Sequence, residues 1–405
     1  MAPILLFTLV FATQLMAGLS SPPPPLPPPS YGNRTSILSI DGGGIRGIIP
    51  ATVLEYLENA LKKKDPDTSL AHYFDVMSGT STGGLMATML AAPNPSDSNH
   101  PLFTSSQIVR FYKTYGPKIF EPRFFPSCPK YNGKFLPYLI DSILKETRLN
   151  QTLTNIVIPT FDQRRVMPVI FSNFKLKTET YLNAKLSDIC LGTSAAPTYL
   201  PSHKFKNEGV YFNLVDGAMA ANNPAVVAVS EVIQHSERKD MIMLSLGTGI
   251  VKPPLQMVRG FFEEACELYW TITHSGVISE ALFSTDITHY YLATVFPGLL
   301  PPENYLRIQE YSLNPSLEPL DNADEKNMNK LEKVGDGLLQ QKVKRMNVNT
   351  FVPVELDHTN AQALDSFAEK LYEERQLRLK RKSIAKGRRP SIENVKVPSG
   401  EIRVI

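Results

Sequence analysis

The chain has 405 residues, 42% hydrophobic and 20% charged, the composition of a soluble globular protein of one large or two ordinary domains. Its formal net charge of +3 is near neutral for this length, so charge alone predicts neither a nucleic-acid nor a membrane partner. Three scattered cysteines, Cys128, Cys190 and Cys266, exclude a disulfide framework or a zinc site, and Cys190 and Cys266 read as small core residues.

Residues 1–20 read as a signal peptide. An apolar run from Ile4 to Ala12 is followed by small residues, although no basic stretch precedes it. That run is too short to span a bilayer, and no later segment reaches eighteen apolar residues, so no integral span is expected. Residues 21–34 contain "SPPPPLPPPS", a polyproline II spacer. Sequons at Asn33 and Asn150 are compatible with glycosylation in a secreted chain.

A folded domain is expected over residues 35–350. "SILSI" is its first strand, followed by a helix with Pro50 near its start and Val53, Leu54, Leu57, Ala60 and Leu61 on one face. "YFDVMSG" is a second strand that turns through "GTSTGG" into the helix "LMATMLAA". Further strands fit "NIVIPTF", "PVIFSN", "VYFNLVDG" and "MIMLSLG"; helices fit "FLPYLIDSILKE", "NPAVVAVSEVIQH" and "GFFEEACELYWTIT". This alternation predicts an α/β fold, three layers with a mostly parallel central sheet. Residues 351–405 read as a C-terminal helix and a basic tail, in which Arg375 to Arg389 carries eight Lys and Arg and no acid.

Three stretches carry chemistry. "DGGGIRG", Asp41 to Gly47, has the G-x-G-x-x-G spacing of a dinucleotide loop in Gly42, Gly44 and Gly47. Such a loop needs an acid at the end of a second strand about twenty residues on. That position falls in the polar helix end "LKKKDPD", so a nucleotide site is disfavoured, as is a P-loop. What remains is a tight turn, or a nest of peptide N–H groups at a helix start that binds negative charge from any source.

The second stretch, Gly79 to Gly83, matches G-x-S-x-G between an apolar strand and an apolar helix. There a serine is held strained and exposed while the glycines let neighbouring backbone pass. Ser81 needs a base, and His235, His274 and His289 all follow it, each in a setting that suits a surface or capping histidine. The third stretch, "LVDGAMAANNP", ends an apolar strand on Asp216 and Gly217.

Together, Asp41–Gly47, Gly79–Gly83 and Asp216-Gly217-Ala218, with "TSAAPTYLP" and "MLSLGTGI", resemble the patatin family of plant lipid acyl hydrolases, from about Ser36 to Lys342. The resemblance implies a Ser-Asp dyad without metal or cofactor, Ser81 as nucleophile and Asp216 as general base. It makes Gly42, Gly43 and Gly44 the oxyanion hole, with Asp41, Arg46, Gly47, Gly79, Gly83 and Gly217 in support. The implied substrates are acyl esters of membrane phospholipids and galactolipids, met by transient surface contact, in lipid metabolism or defence. A storage protein with residual esterase activity is the alternative. The leader points to the secretory pathway, vacuolar or extracellular. "RRPS", ending at Ser391, resembles a kinase site and points instead to cytoplasm with membrane association through the basic tail.

Overall fold

The structure, a computed structural model, describes residues 32–122, 129–235, 240–251 and 285–387, the last few of these and residue 286 by backbone alone. The expected helix "GFFEEACELYWTIT", together with His274, Cys128, Cys266 and Ser391, lies outside the described residues.

The chain begins as expected with β1 (Thr35–Ile40), α1 (Ile48–Lys62), β2 (Val76–Gly79) and α2 (Thr82–Ala91). A small hairpin, β3 (Pro93–Asn94) and β4 (Asp97–Pro101), leads to α3 (Ser105–Ile119). That helix starts at a capping box. Thr104 Oγ1 accepts from the Gln107 amide while Gln107 Oε1 accepts from the Thr104 amide at 2.8 Å. Such a cap is worth about 1 kcal/mol. Then follow α4 (Phe135–Leu144), β5 (Asn155–Asp162), β6 (Met167–Ser172), α5 (Leu186–Thr193), β7 (His203–Asn207) and β8 (Val210–Val215). Short α6 (Ala218–Ala221) and α7 (Ala225–His235) precede β9 (Met241–Leu246). After the undescribed stretch come α8 (Thr285–Val295), β10 (Tyr305–Ile308), α9 (Glu325–Gln340), the hairpin β11 (Lys342–Met346) and β12 (Pro353–Thr359), and α10 (Asn360–Gly387).

Eight described strands form one sheet in the order β10-β9-β1-β2-β5-β8-β7, with β6 also on β5. β10, β9, β1, β2 and β5 run parallel; β6, β7 and β8 are antiparallel additions. Central strands covered on both faces carry apolar residues towards both layers. β1 shows the result: Leu38 and Ile40 enter the larger core with α1, α2 and α3, while Ile37 enters a second core with Ala228, Val229 and Val232 of α7. The layers are helix, sheet, helix, the α/β architecture expected.

The packed body does not stop at residue 350. Leu364, Phe367, Ala368 and Leu371 of α10 are buried in the same core as α1, and Phe367 stacks on Phe74 at 6.3 Å. The basic stretch that follows is in part docked. Arg375 pairs with Asp65, Arg378 pairs with Asp75 and donates to Tyr73 O at 2.7 Å, and Arg381 donates to Asn33 Oδ1 at 2.9 Å. Asp75 and Ser36 stand where β2 and β1 begin, so these arginines lie at the amino-terminal end of the parallel strands.

Candidate active site

Ser81 occupies the sharp turn between β2 and α2 with φ 54° and ψ −122°, a conformation L-residues rarely adopt. The flanking glycines follow from close approach. A Cβ on Gly79 would lie 2.0 Å from Gly83 O, and one on Gly83 would lie 2.2 Å from Ile40 O. Strand, elbow and helix therefore cross with no room for side chains. The Ser81 amide is anchored by Thr193 Oγ1 at 3.0 Å, and that hydroxyl donates to Pro159 O at 2.7 Å.

Sheet register explains how Asp216 reaches Ser81 from far away in sequence. Val157 of β5 pairs with Ser78 on one side and Ser172 on the other, so β2 and β6 take opposite edges of β5. Phe161 pairs with Val215 and with Pro168, so β8 also lies opposite β6. β2 and β8 must then share one edge of β5, running towards each other. Each has its chemical residue just past its carboxyl end. Extending both registers brings Ser81 and Asp216 level with Thr160. Asp216 is thus delivered by an antiparallel strand that enters from beyond the parallel edge, and not by a parallel strand ending on it. Gly217 completes the join, since a Cβ there would lie 2.1 Å from Pro159 O.

Asp216 is 3% exposed. Burial pushes its carboxyl up to about 6, opposed by hydrogen bonds from the Ala218 amide (2.8 Å) and the Ser81 hydroxyl. A carboxylate short of compensation is a stronger base than one in water, and the proton within its reach is that of Ser81.

The glycine loop lies alongside. A Cβ on Gly42 would sit 3.3 Å from Ser81 Cβ, and Thr248 Oγ1 holds Gly42 O at 2.8 Å. The expectation of three oxyanion donors needs correction here: the Gly42 N–H is already committed to Asn222 O at 3.0 Å. The Gly43 and Gly44 amides have no acceptor among the described residues. Gly44 has φ +57°, and a Cβ on it would lie 2.2 Å from Leu320 O. A Cβ on Gly47 would fall 2.6 Å from Thr82 Oγ1, which keeps the loop's helical turn against the elbow.

Asp41, just before the glycines, is fully buried and takes a fork from Arg307, Nη1 to Oδ1 at 2.9 Å and Nη2 to Oδ2 at 2.6 Å. Arg307 reaches it from β10 across β9, giving Ser245 Oγ a bond at 2.9 Å on the way. Burial works against the guanidinium charge and the Asp41 carboxylate overrides it, so Arg307 stays charged. Removing one member of such a pair costs about 3–5 kcal/mol. Arg46 donates to Gly249 O at 3.3 Å. The bonds described for Asp41 and Arg46 run to Arg307 and to Gly249 O.

The two described histidine candidates, His235 and His289, are bonded to other groups. His235 Nδ1 bonds Glu231 O at 3.0 Å. His289 is no surface residue: it is 3% exposed, bonds the Tyr305 hydroxyl at 2.8 Å, and is driven down to about 3 by burial. Nor does the loop meet the needs of a dinucleotide, because β2 ends at Gly79, runs into Thr80-Ser81 and supplies no acid at that end. Sequence reasoning missed Thr193, Arg307, Asn222 and Leu320. Thr193 lies inside "TSAAP" and Asn222 inside "LVDGAMAANNP"; Arg307 and Leu320 carry no local signal.

The family model for patatin-like phospholipases matches residues 38–229, which span both catalytic candidates. Patatin-like protein 3 of Arabidopsis thaliana is 42% identical over 394 residues, covering 87% of this chain and 92% of its own. Patatin-17 of Solanum cardiophyllum is 40% identical over 375 residues, covering 87% and 93%. The crystal structure of VipD from Legionella pneumophila aligns at 13% identity and a TM-score of 0.29, over 75% of this chain and 67% of that one, too slight to bear on the fold. On the strength of its plant relatives, the chain belongs to the patatin-like phospholipase family.

Proposed function

We propose that this protein is a serine lipid acyl hydrolase that cleaves fatty acyl esters of phospholipids and galactolipids through a Ser81–Asp216 dyad. The observation that carries the reading is the end-to-end meeting of β2 and β8, which sets a strained serine beside a buried carboxyl raised to about 6. Ser81 Oγ attacks the ester carbonyl and its proton passes to Asp216. The oxyanion formed is met by the Gly43 and Gly44 amides, where one preorganised donor is worth roughly 3–4 kcal/mol. Collapse breaks the C–O bond, and the leaving alcohol takes the proton from Asp216. Water then gives its proton to Asp216 and attacks the acyl-enzyme, releasing a fatty acid and restoring Ser81.

Lipid access is expected at the catalytic end of the sheet. The β5–β6 turn carries β5 beyond Ser81 and exposes Arg164, Arg165, Val166 (73%) and Met167 (44%). Of the eight cations in the basic stretch, Arg375, Arg378 and Arg381 are docked at the opposite end of the sheet and are not available to a membrane there. Asn33 and Asn150 are both exposed, which supports the reading of a glycosylated protein of the secretory pathway, vacuolar or extracellular, with a role in defence. Fatty acid release from phosphatidylcholine and galactolipid vesicles tests the proposal. Activity on either, lost in Ser81→Ala, supports it; full activity in Ser81→Ala ends it.

A further inference from the structure

The turn between β5 and β6 presents side chains and a backbone strain that do nothing for the folding of a chain in water. Gln163 to Pro168 are all exposed, and among them Val166 is 73% and Met167 44% open to solvent. Val166 also has φ 53°, a left-handed conformation that glycine or asparagine adopts readily and a β-branched residue does not. Yet the turn is firmly built. Asp162, fully buried, accepts from the Arg164 amide at 2.9 Å and faces Arg165 Nε at 3.8 Å, and the Gln163 amide donates to Asn213 O at 3.1 Å. The Arg165 guanidinium lies 5.8 Å over the buried Phe212 ring. Arg164 is exposed, and its side chain has no bonding partner among the described residues.

Register places this turn beside the catalytic pair. Asp162 pairs with both Met167 and Leu214, two residues beyond Thr160, so the turn stands about 7 Å further out than Ser81 and Asp216. Short α6 lies against β5 and β6 and adds exposed Met219 (44%) at the same end of the sheet. From Asn155 to Ser172 the only acid is the buried Asp162, so the exposed charge of the hairpin, on Arg164 and Arg165, is wholly positive. Exposed apolar tips beside guanidinium groups complement a lipid surface of negative charge, since arginine heads can meet phosphate oxygens while neighbouring apolar side chains enter hydrocarbon. We propose that the β5–β6 turn is an interfacial anchor that docks the catalytic end of the sheet on bilayers containing anionic phospholipid. Val166, Met167 and Met219 enter below the headgroups, and Arg164 and Arg165 stay at the level of the phosphates. The left-handed Val166 keeps an apolar side chain at a turn position where glycine would supply none. The inference rests on the hydrolase reading only for its consequence, delivery of acyl esters to Ser81; the docking itself stands without it.

The test uses the full chain carrying Ser81→Ala, so that lipid is bound and not consumed, with vesicles of phosphatidylcholine alone or mixed with phosphatidylglycerol. Co-sedimentation should show binding about tenfold tighter to the mixed vesicles, and added salt should weaken it by screening the exposed charges. Arg164→Glu, which reverses an exposed cation, should weaken that binding about tenfold. Val166→Asn should weaken it about fivefold through the lost apolar contact. The same variant should raise the midpoint of urea unfolding, because asparagine tolerates the left-handed backbone, whereas a damaged fold would lower it. Met167→Trp should shift its indole emission to the blue on mixed vesicles, measured against the chain whose only tryptophan is Trp270. Absence of vesicle binding overturns the proposal, as does an unshifted Met167→Trp emission. So does binding that neither Arg164→Glu nor Val166→Asn weakens, the result that contact through the basic tail would give. Hydrolysis of a soluble short-chain ester by the chain with Ser81 intact tests the hydrolase reading separately. Its absence beside turn-dependent vesicle binding leaves the anchor standing, and the reverse result removes the anchor alone.

Discussion

Asp75 and Asp216 are buried at opposite ends of the sheet and are treated in opposite ways. At the amino-terminal end, Asp75 Oδ2 accepts from the Ser36 amide and hydroxyl, both at 2.9 Å, while Oδ1 takes the Arg378 guanidinium. At the other end, Asp216 has one backbone donor and the Ser81 hydroxyl, and no described cation contributes to its electrostatics. The first arrangement satisfies a charge and fastens α10 to the body. The second leaves a charge undersatisfied, which is what a base requires. Burial alone does not mark an active site; burial without compensation does.

Several substitutions would break or sharpen that contrast. Ser81→Ala and Asp216→Asn should each lower ester hydrolysis by about three orders of magnitude or more, and the double variant should be little worse, because dyad members act as a unit. Steady-state rates on a soluble ester read this, with circular dichroism confirming the fold. Arg378→Met should do the reverse: it strands Asp75 and should cost about 3–5 kcal/mol in urea denaturation, while activity per folded molecule is kept.

Asp216→Asn has a second expected effect, in stability. The folded carboxyl titrates near 6 against an unfolded value of 3.8, so between these pH values the folded state binds more protons. Stability then falls as pH rises through that window, and the ionised carboxylate is a burden at pH 7–8. The uncharged amide should raise stability there by on the order of 2 kcal/mol, since a tenfold change in proton affinity is worth about 1.4 kcal/mol. That gain should vanish near pH 4. The smallest effect is expected at Thr193→Val, which strips Ser81 N and Pro159 O of their shared hydroxyl; kcat should fall roughly tenfold with KM little changed, and Thr193→Ser should restore it.

Much of this was legible in the sequence, for a physical reason. The central strands carry apolar residues on both faces because both are covered, and the elbow and glycine loop are spelled by residues that only close backbone crossings require. Ser81, Asp216 and the loop could therefore be singled out. Distant pairings could not. Short, half-exposed β7 and the four-residue β10 carry little pattern, yet β10 supplies Arg307, which reaches Asp41 from 266 residues away. Gly42's lost donor depends on Asn222, whose carbonyl has no sequence signature. The charge run of the tail gives no hint that Arg375 and Arg378 pair with Asp65 and Asp75. The antiparallel course of β8 was equally hidden, since strand direction is set by pairing and not by composition.

The central claim is that Ser81 is activated by Asp216 and by nothing else that titrates near neutrality. The most direct test is the pH dependence of covalent inactivation by a fluorophosphonate ester, with peptide mapping of the modified residue. The account predicts a label on Ser81, at a rate that rises with pH to a plateau with an inflection near 6, and a flat, strongly reduced rate in Asp216→Asn. A label on another residue, or an inflection that persists in Asp216→Asn, would contradict it.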